Sequence, residues 1–262
     1  VNMVKAVGPF RKISFRRILG IDVASASRQQ ALALLSGLIA SKTFAKVSFL
    51  NAHNANIACS DSEFAAALSH FLVLADGIGV DIASRLLYGA PFPDNLNGTD
   101  FVPALLRSSD QPLTVALLGA KQAHADHAAD RLAELAPQHR YIVVHDGYFT
   151  AEEEPAIVAE IGSLRPDILL VAMGVPRQEL WIERNIRAEH CTLPIAVGAL
   201  LDFLSGSVPR APLWMRRLRL EWLFRLMLEP GRLWRRYVVG NPLFLLRVLR
   251  QKFAARSGEG RP

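Results

Sequence analysis

The chain has 262 residues, 51% hydrophobic and 21% charged, with a formal net charge of +6, which suits one large packed domain or one domain with an appendage. Two widely separated cysteines, Cys59 and Cys191, exclude a disulfide framework and a cysteine-based zinc site, and they favour a reducing compartment. No uncharged run reaches the ~18 residues of a spanning helix, and the opening VNMVKAVGPFRKISFRRILG lacks the apolar block of a signal peptide, so a cytoplasmic protein that neither spans nor crosses a membrane is expected.

Along the first 200 residues two patterns alternate. SRQQALALLSGLIAS (27–41) has the length and spacing of an amphipathic helix, and KVSFLNA (46–52) is a buried-strand run. DSEFAAALSHF (61–71) is helical, and FLVLADG (71–77) and LTVALLG (113–119) are strands. KQAHADHAADRLAELA (121–136) returns to a helix, followed by the strand YIVVHDG (141–147) and the helix TAEEEPAIVAEIGSLR (150–165). The strand DILLVAMG (167–174), the helix RQELWIERNIRAEH (177–190) and the strand PIAVGA (194–199) close the series. This alternation predicts an α/β, Rossmann-like, mostly parallel sheet with helices on both faces. Ligands of such sheets collect at the carboxyl ends of strands. Here those ends are Asn51, Asp76-Gly77, Gly119, His145-Asp146-Gly147, Gly174 and Gly198.

Beyond them GSVPRAP (206–212) reads as a linker or sharp turn, dividing a domain at 1–205 from an appendage at 206–262. Residues 210–262 hold 13 Lys/Arg and 3 Asp/Glu, a balance of +10, while the other 209 residues hold 17 and 21, a balance of −4. The tail is helical, basic and aromatic, with breaks expected at Glu229-Pro230-Gly231 and at Gly240-Asn241-Pro242. A basic amphipathic helix with aromatics reads as an interfacial membrane binder, with Trp222, Leu223, Leu226, Trp234, Tyr237, Phe244 and Leu245 entering the headgroup region. The plainer alternative is a helix packed on the core with its arginines in water. No nucleic-acid fold signature is present. Arg225, Arg232 and Arg236, spaced 7 and 4, share a face if the helix resumes in line after Pro230, and guanidinium forks suit phosphate oxygens.

Several residues carry candidate chemistry. Asp76 in ADGIGVD either caps the next helix or serves as a base at a pocket mouth. Gly119, in the strand–turn–helix LLGAKQAHAD (117–126), makes a tight turn or meets a phosphate at the helix start. Gln178 and Glu179 fall in the first turn of the helix after Pro176, an ordinary helix start that also places an amide beside the pocket, and both are expected to bind substrate. His124 and His127 read as a solvated helix face. There is no GxGxxG, which disfavours a dinucleotide oxidoreductase. There is no metal-ligand spacing and no Asp-x-Asp triplet, so no metal and no cofactor is expected, and a diphosphate would need another positive partner.

ADGIGV, NGTD (97–100), GYF (147–149), MGVPRQELW, DFLSG (202–206) and RAPLWMRRLRLEWLFRLMLEPGRLWRRY, in this order, resemble the WecG/TagA/CpsF glycosyltransferases from about Ile21 to Phe253. The resemblance implies an inverting, metal-independent enzyme. It would move a sugar from a UDP-sugar to a sugar on a polyprenyl diphosphate, peripherally on the inner face of the cytoplasmic membrane. By the same resemblance Asp76 is the general base, Asn51 and Gln178 belong to the pocket, Asp202 contacts the uracil side, and Arg210, Arg225 and Arg232 come over the diphosphate. Phe49 stands where members often have Thr, and Asn95 where they often have Arg. Those departures turn the expectation to the branch resembling the glucosyltransferase of xanthan-like exopolysaccharide assembly, with UDP-glucose as donor and glucosyl-diphospho-polyprenol as acceptor. The alternatives are transfer of N-acetylmannosamine or its uronic acid to N-acetylglucosaminyl-diphospho-undecaprenol, and an inactive nucleotide-sugar-binding scaffold. Apolar residues of the tail leave a homo-oligomer open.

Overall fold

Apolar runs without polar alternation are stable as strands only when both sheet faces are covered, and KVSFL, FLVLA and ILLVA are strands buried at every position. The structure, a computed structural model, describes residues 13–212, 214–215 and 220–257. Arg216, Arg217 and Arg219 of the tail's basic block and the first twelve residues lie outside the described residues. The strands are β1 (Ser14–Ile18), β2 (Ile21–Ser25), β3 (Lys46–Leu50), β4 (Phe71–Ala75), β5 (Thr114–Gly119), β6 (Arg140–His145), β7 (Ile168–Ala172) and β8 (Leu193–Ala196). They form one sheet in the order β1-β2-β4-β3-β8-β7-β5-β6. All neighbours are parallel except β1 and β2.

The β1–β2 hairpin was not among the predicted strands. Its charged edge strand hides the period, but its turn is legible afterwards: Leu19 and Gly20 both take positive φ, 49° and 85°, as a two-residue hairpin turn of the right twist requires.

Helices α1 (Arg28–Ala40), α5 (Gly98–Arg107), α6 (Gln122–Leu135) and α9 (Leu200–Leu204) cover one face. Helices α2 (Ala52–Ala58), α3 (Ser62–Leu68), α4 (Ile78–Tyr88), α7 (Glu154–Leu164) and α8 (Arg177–Asn185) cover the other. Strand pleating divides β3 between them, Val47 and Phe49 in one core and Leu50 in the other. The Ser27–Gln30 capping box starts α1, and Asp61 caps α3. Helix α5 escaped the sequence pattern because Gly98 and Pro103 lie within it.

The tail folds back over the domain. It comprises α10 (Glu221–Leu228), α11 (Pro230–Trp234), a π-helical turn (Arg235–Val239) and α12 (Gly240–Ser257). The break at Pro230 is present. The one expected at Gly240-Asn241-Pro242 is not: the chain stays helical from Pro230 to Ser257, and the π-helical turn stands just before Pro242. Helix α12 packs on α2 and α4. Phe244 and Val248 are fully buried there, Arg247 donates to the Asn56 carbonyl and Oδ1, each at 2.9 Å, and Gln251 grips the β1–β2 turn through Leu19 N and Arg17 O. Phe244 and Tyr237, expected in lipid headgroups, are therefore core residues.

Candidate active site

The chain leaves β3 towards β4 on one side, while β8 pairs on the other. That reversal opens a crevice at the carboxyl ends of the strands, and the tail roofs it. The resulting cleft measures about 1250 Å³, above the ~300–1,000 Å³ of a pocket for one small ligand.

Asn51 and Asp76 end adjacent strands at its base. Asn51 caps α2: its Oδ1 accepts from His53 N and Asn54 N at 3.0 and 3.1 Å. With the oxygen so committed, its Nδ2 turns to Asp76 Oδ2 at 3.2 Å. Asp76 caps nothing, because the N-cap of α4 is Gly77 and has no side-chain cap. Gly77, at φ 86°, allows the sharp turn that leaves the Asp76 side chain in the cleft. Its N–H donates to Asn95 Oδ1 at 2.8 Å. Enclosure of the Asp76 carboxyl raises its pKa above the ordinary carboxylate range, although Asn51, Arg236 and Arg225 pull the other way.

Across the cleft stand Arg225, Arg232 and Arg236; the break at Glu229 means that they do not share one in-line helix, as their spacing would have needed, and the folded tail brings them together instead. Arg236 is pressed below its ordinary pKa, by burial first. The Nε atoms of Arg225 and Arg236 are buried without a protein partner. Arg225 also lies over the Phe203 ring, 5.3 Å from its centre. Burial and Arg236 push His53 down to about 4, so its imidazole is neutral beside Asn51.

Other expected residues take different places. Arg210 is not part of the lining; it ties the tail's start to α5, bonding Asp100 at 2.7 Å and Glu221 at 3.3 Å. Gly119 lies behind the wall: at φ 120° an added Cβ would come 2.4 Å from the Ala172 carbonyl oxygen. The wall itself is Ala120, Lys121 and Gly147. Gln178 and Glu179 are both buried. Asp202 lines the cleft and is held by His124 Nδ1 at 2.8 Å. His124 is thus part of the cleft rather than a solvated face, whereas His127 is exposed. Arg236, His53 and His124 are among the lining residues that sequence reasoning left out of the site. For Arg236 the signal was its grouping with Arg225 and Arg232 in the basic tail. For His124 none existed, since its partner arrives from α9, 78 residues on. Among the described residues no group of three or more His, Cys, Asp or Glu side chains could hold a metal ion.

An enclosed carboxylate thus faces guanidinium groups at the switch point of a Rossmann-like sheet. Residues 16–258 match the Glycosyl transferase WecG/TagA/CpsF family, and the chain belongs to that family. Over 213 residues, 80% of this chain and 81% of the relative, it is 32% identical to the N-acetylglucosaminyldiphosphoundecaprenol N-acetyl-beta-D-mannosaminyltransferase of Bacillus subtilis. Over 184 residues, 70% of each, it is also 32% identical to the protein of the same name from Bacillus spizizenii. The chain is a glycosyltransferase, and the scaffold and oxidoreductase alternatives fall away.

Proposed function

We propose that this chain transfers an N-acetylmannosamine-type sugar from a UDP-linked donor to N-acetylglucosaminyl-diphospho-undecaprenol. The names of its relatives support this pair over the glucosyl pair suggested by Phe49 and Asn95. Both departures also have local structural work. The Phe49 ring packs against Gly98, where an added Cβ would come within 3.0 Å of it, and edge-on against Phe101. Asn95 anchors the turn at Gly77. Neither is then needed as the mark of a glucose donor.

The observation that carries the reading is the enclosed Asp76 carboxylate opposite Arg225 and Arg236 in one cleft. In the proposed reaction the acceptor hydroxyl gives its proton to Asp76 as its oxygen attacks the anomeric carbon. The bond from that carbon to the donor diphosphate breaks and UDP leaves. A carboxylate lifted towards neutrality is a better base, and guanidinium groups fixed in place stabilise the departing charge. The unpartnered Nε atoms of Arg225 and Arg236 fit an anion.

The membrane contact belongs to the same proposal. No helix among the described residues is long and apolar enough to cross a membrane. Val239, Leu243, Leu246, Leu249 and Phe253 form an exposed stripe on and beside α12, opposite the buried Phe244 and Val248, and Trp234 continues it. This stripe, with Arg235 and Arg250 near it, suits an anionic bilayer surface and would bring the cleft to a lipid-borne acceptor.

The test pairs UDP-N-acetylmannosamine and UDP-glucose with N-acetylglucosaminyl- and glucosyl-diphospho-polyprenol, reading UDP release. Turnover on the N-acetylated pair is expected. Turnover confined to the glucosyl pair would overturn the sugar assignment.

A further inference from the structure

Glu179 lines the foot of the cleft yet has no exposed surface. What it touches leads to Gln178. Its Oε1 accepts from the Ser48 hydroxyl at 2.9 Å and from Gln178 Nε2 at 3.0 Å. Gln178 in turn accepts the Gly198 N–H on its Oε1 at 3.0 Å. A backbone N–H only donates, so this last bond fixes which end of the amide is oxygen. The amide nitrogen carries two hydrogens; Glu179 takes one, and Gln178 lines the cleft. The neighbouring charged groups, Lys46 on β3 and Glu183 on α8, satisfy each other at 2.8 Å.

We propose that Glu179 is a positioning residue: backed by Ser48, it holds the Gln178 amide so that its second N–H is presented to a substrate oxygen. Glu179 itself touches no substrate, in contrast to the binding role expected from sequence. The inference rests on the proposed sugar transfer and adds to it a residue that acts only through another. A buried carboxylate is a costly way to hold an amide, and the acceptor oxygen it supplies to both donors is what the arrangement gains.

A double-mutant cycle tests this. Q178A is expected to lower kcat/KM by roughly 10–100-fold, as for a lost donor to developing charge. E179L should lower it by about tenfold alone and by less than about twofold in the Q178A background. E179Q keeps an acceptor oxygen for Gln178 and should retain most of the activity. A further loss of about tenfold from E179L when Gln178 is already Ala, or E179Q as slow as E179L, overturns the proposal. So does a fall in melting temperature with unchanged kcat/KM, which would mark a merely structural role. A second readout does not depend on turnover: the Gln178 side-chain NH₂ resonances, assigned by their loss in Q178A. Slower hydrogen exchange of the Glu179-bonded hydrogen than of its cleft-facing partner is expected in the wild type and E179Q, and equal, fast exchange in E179L. Equal, fast exchange of both hydrogens in the wild type overturns the inference. A wild-type protein that transfers no sugar would count against the proposed function alone, and the resonances would still decide the role of Glu179.

Discussion

Asp76 and Glu179 are both carboxylates lifted by enclosure, and they differ in what surrounds them. Asp76 meets Asn51 and two arginines across a cleft. Glu179 is sealed against Ser48 and Gln178, and burial pushes it up to about 7. A carboxyl raised in the folded state contributes stability that is full below its unfolded pKa and is lost as pH rises through the folded one. For Glu179 that window runs from about 4.5 to about 7, and the cost of ionising it is on the order of 3 kcal/mol. The wild type should therefore gain urea resistance between pH 8 and pH 6, and E179Q should lose most of that gain. An identical pH dependence in both would contradict the assignment. Asn51, Asp76 and Gln178 were legible as strand-end and helix-start residues. What spacing does not convey is the direction of an amide: Asn51 points its nitrogen at Asp76 because capping α2 occupies its oxygen.

Helix α12 is apolar on two sides, and this is why its sequence was hard to read. Phe244 and Val248 face α2 and α4, while Leu243, Leu246 and Phe253 face outward. A single amphipathic stripe separates core from solvent, but two opposite stripes give a pattern that reads equally as a core helix or a membrane binder. Of the residues named from sequence for the headgroup region, Phe244 and Tyr237 are buried and Trp234 is exposed. F244A should cost about 3–5 kcal/mol in urea unfolding, as for other buried Phe truncations. L246S, on the outer stripe, should cost less than about 0.5 kcal/mol. Equal losses would contradict the two-sided packing. The parallel strands were read directly because burial on both faces leaves continuous apolar runs. The hairpin and α5 were not, since an arginine-rich edge strand and a helix with an internal proline both break the expected period.

The tail joins the cleft to the outer stripe. Arg210 clamps its start to Asp100, α12 locks its end to Asn56 and the β1–β2 turn, and the arginines between hang over Asp76. The same segment can thus roof the reaction and carry the apolar surface, a link that no local sequence pattern discloses. L246S/F253S should sediment less with anionic liposomes at unchanged melting temperature, and wild-type binding should weaken with salt. Undiminished sedimentation would remove the stripe from the account. The most direct measurement is the rate of UDP release by wild type and D76N across pH, with the N-acetylmannosamine donor and the N-acetylglucosaminyl lipid. The wild-type rate should fall on acidification at a pH above the ordinary carboxylate range, because Asp76 must be ionised to act and its enclosure raises its pKa. D76N should be slower by roughly 10²–10⁴-fold at every pH. A D76N enzyme that keeps most of the rate, or keeps the same acid limb, would contradict the assignment of Asp76 as the base.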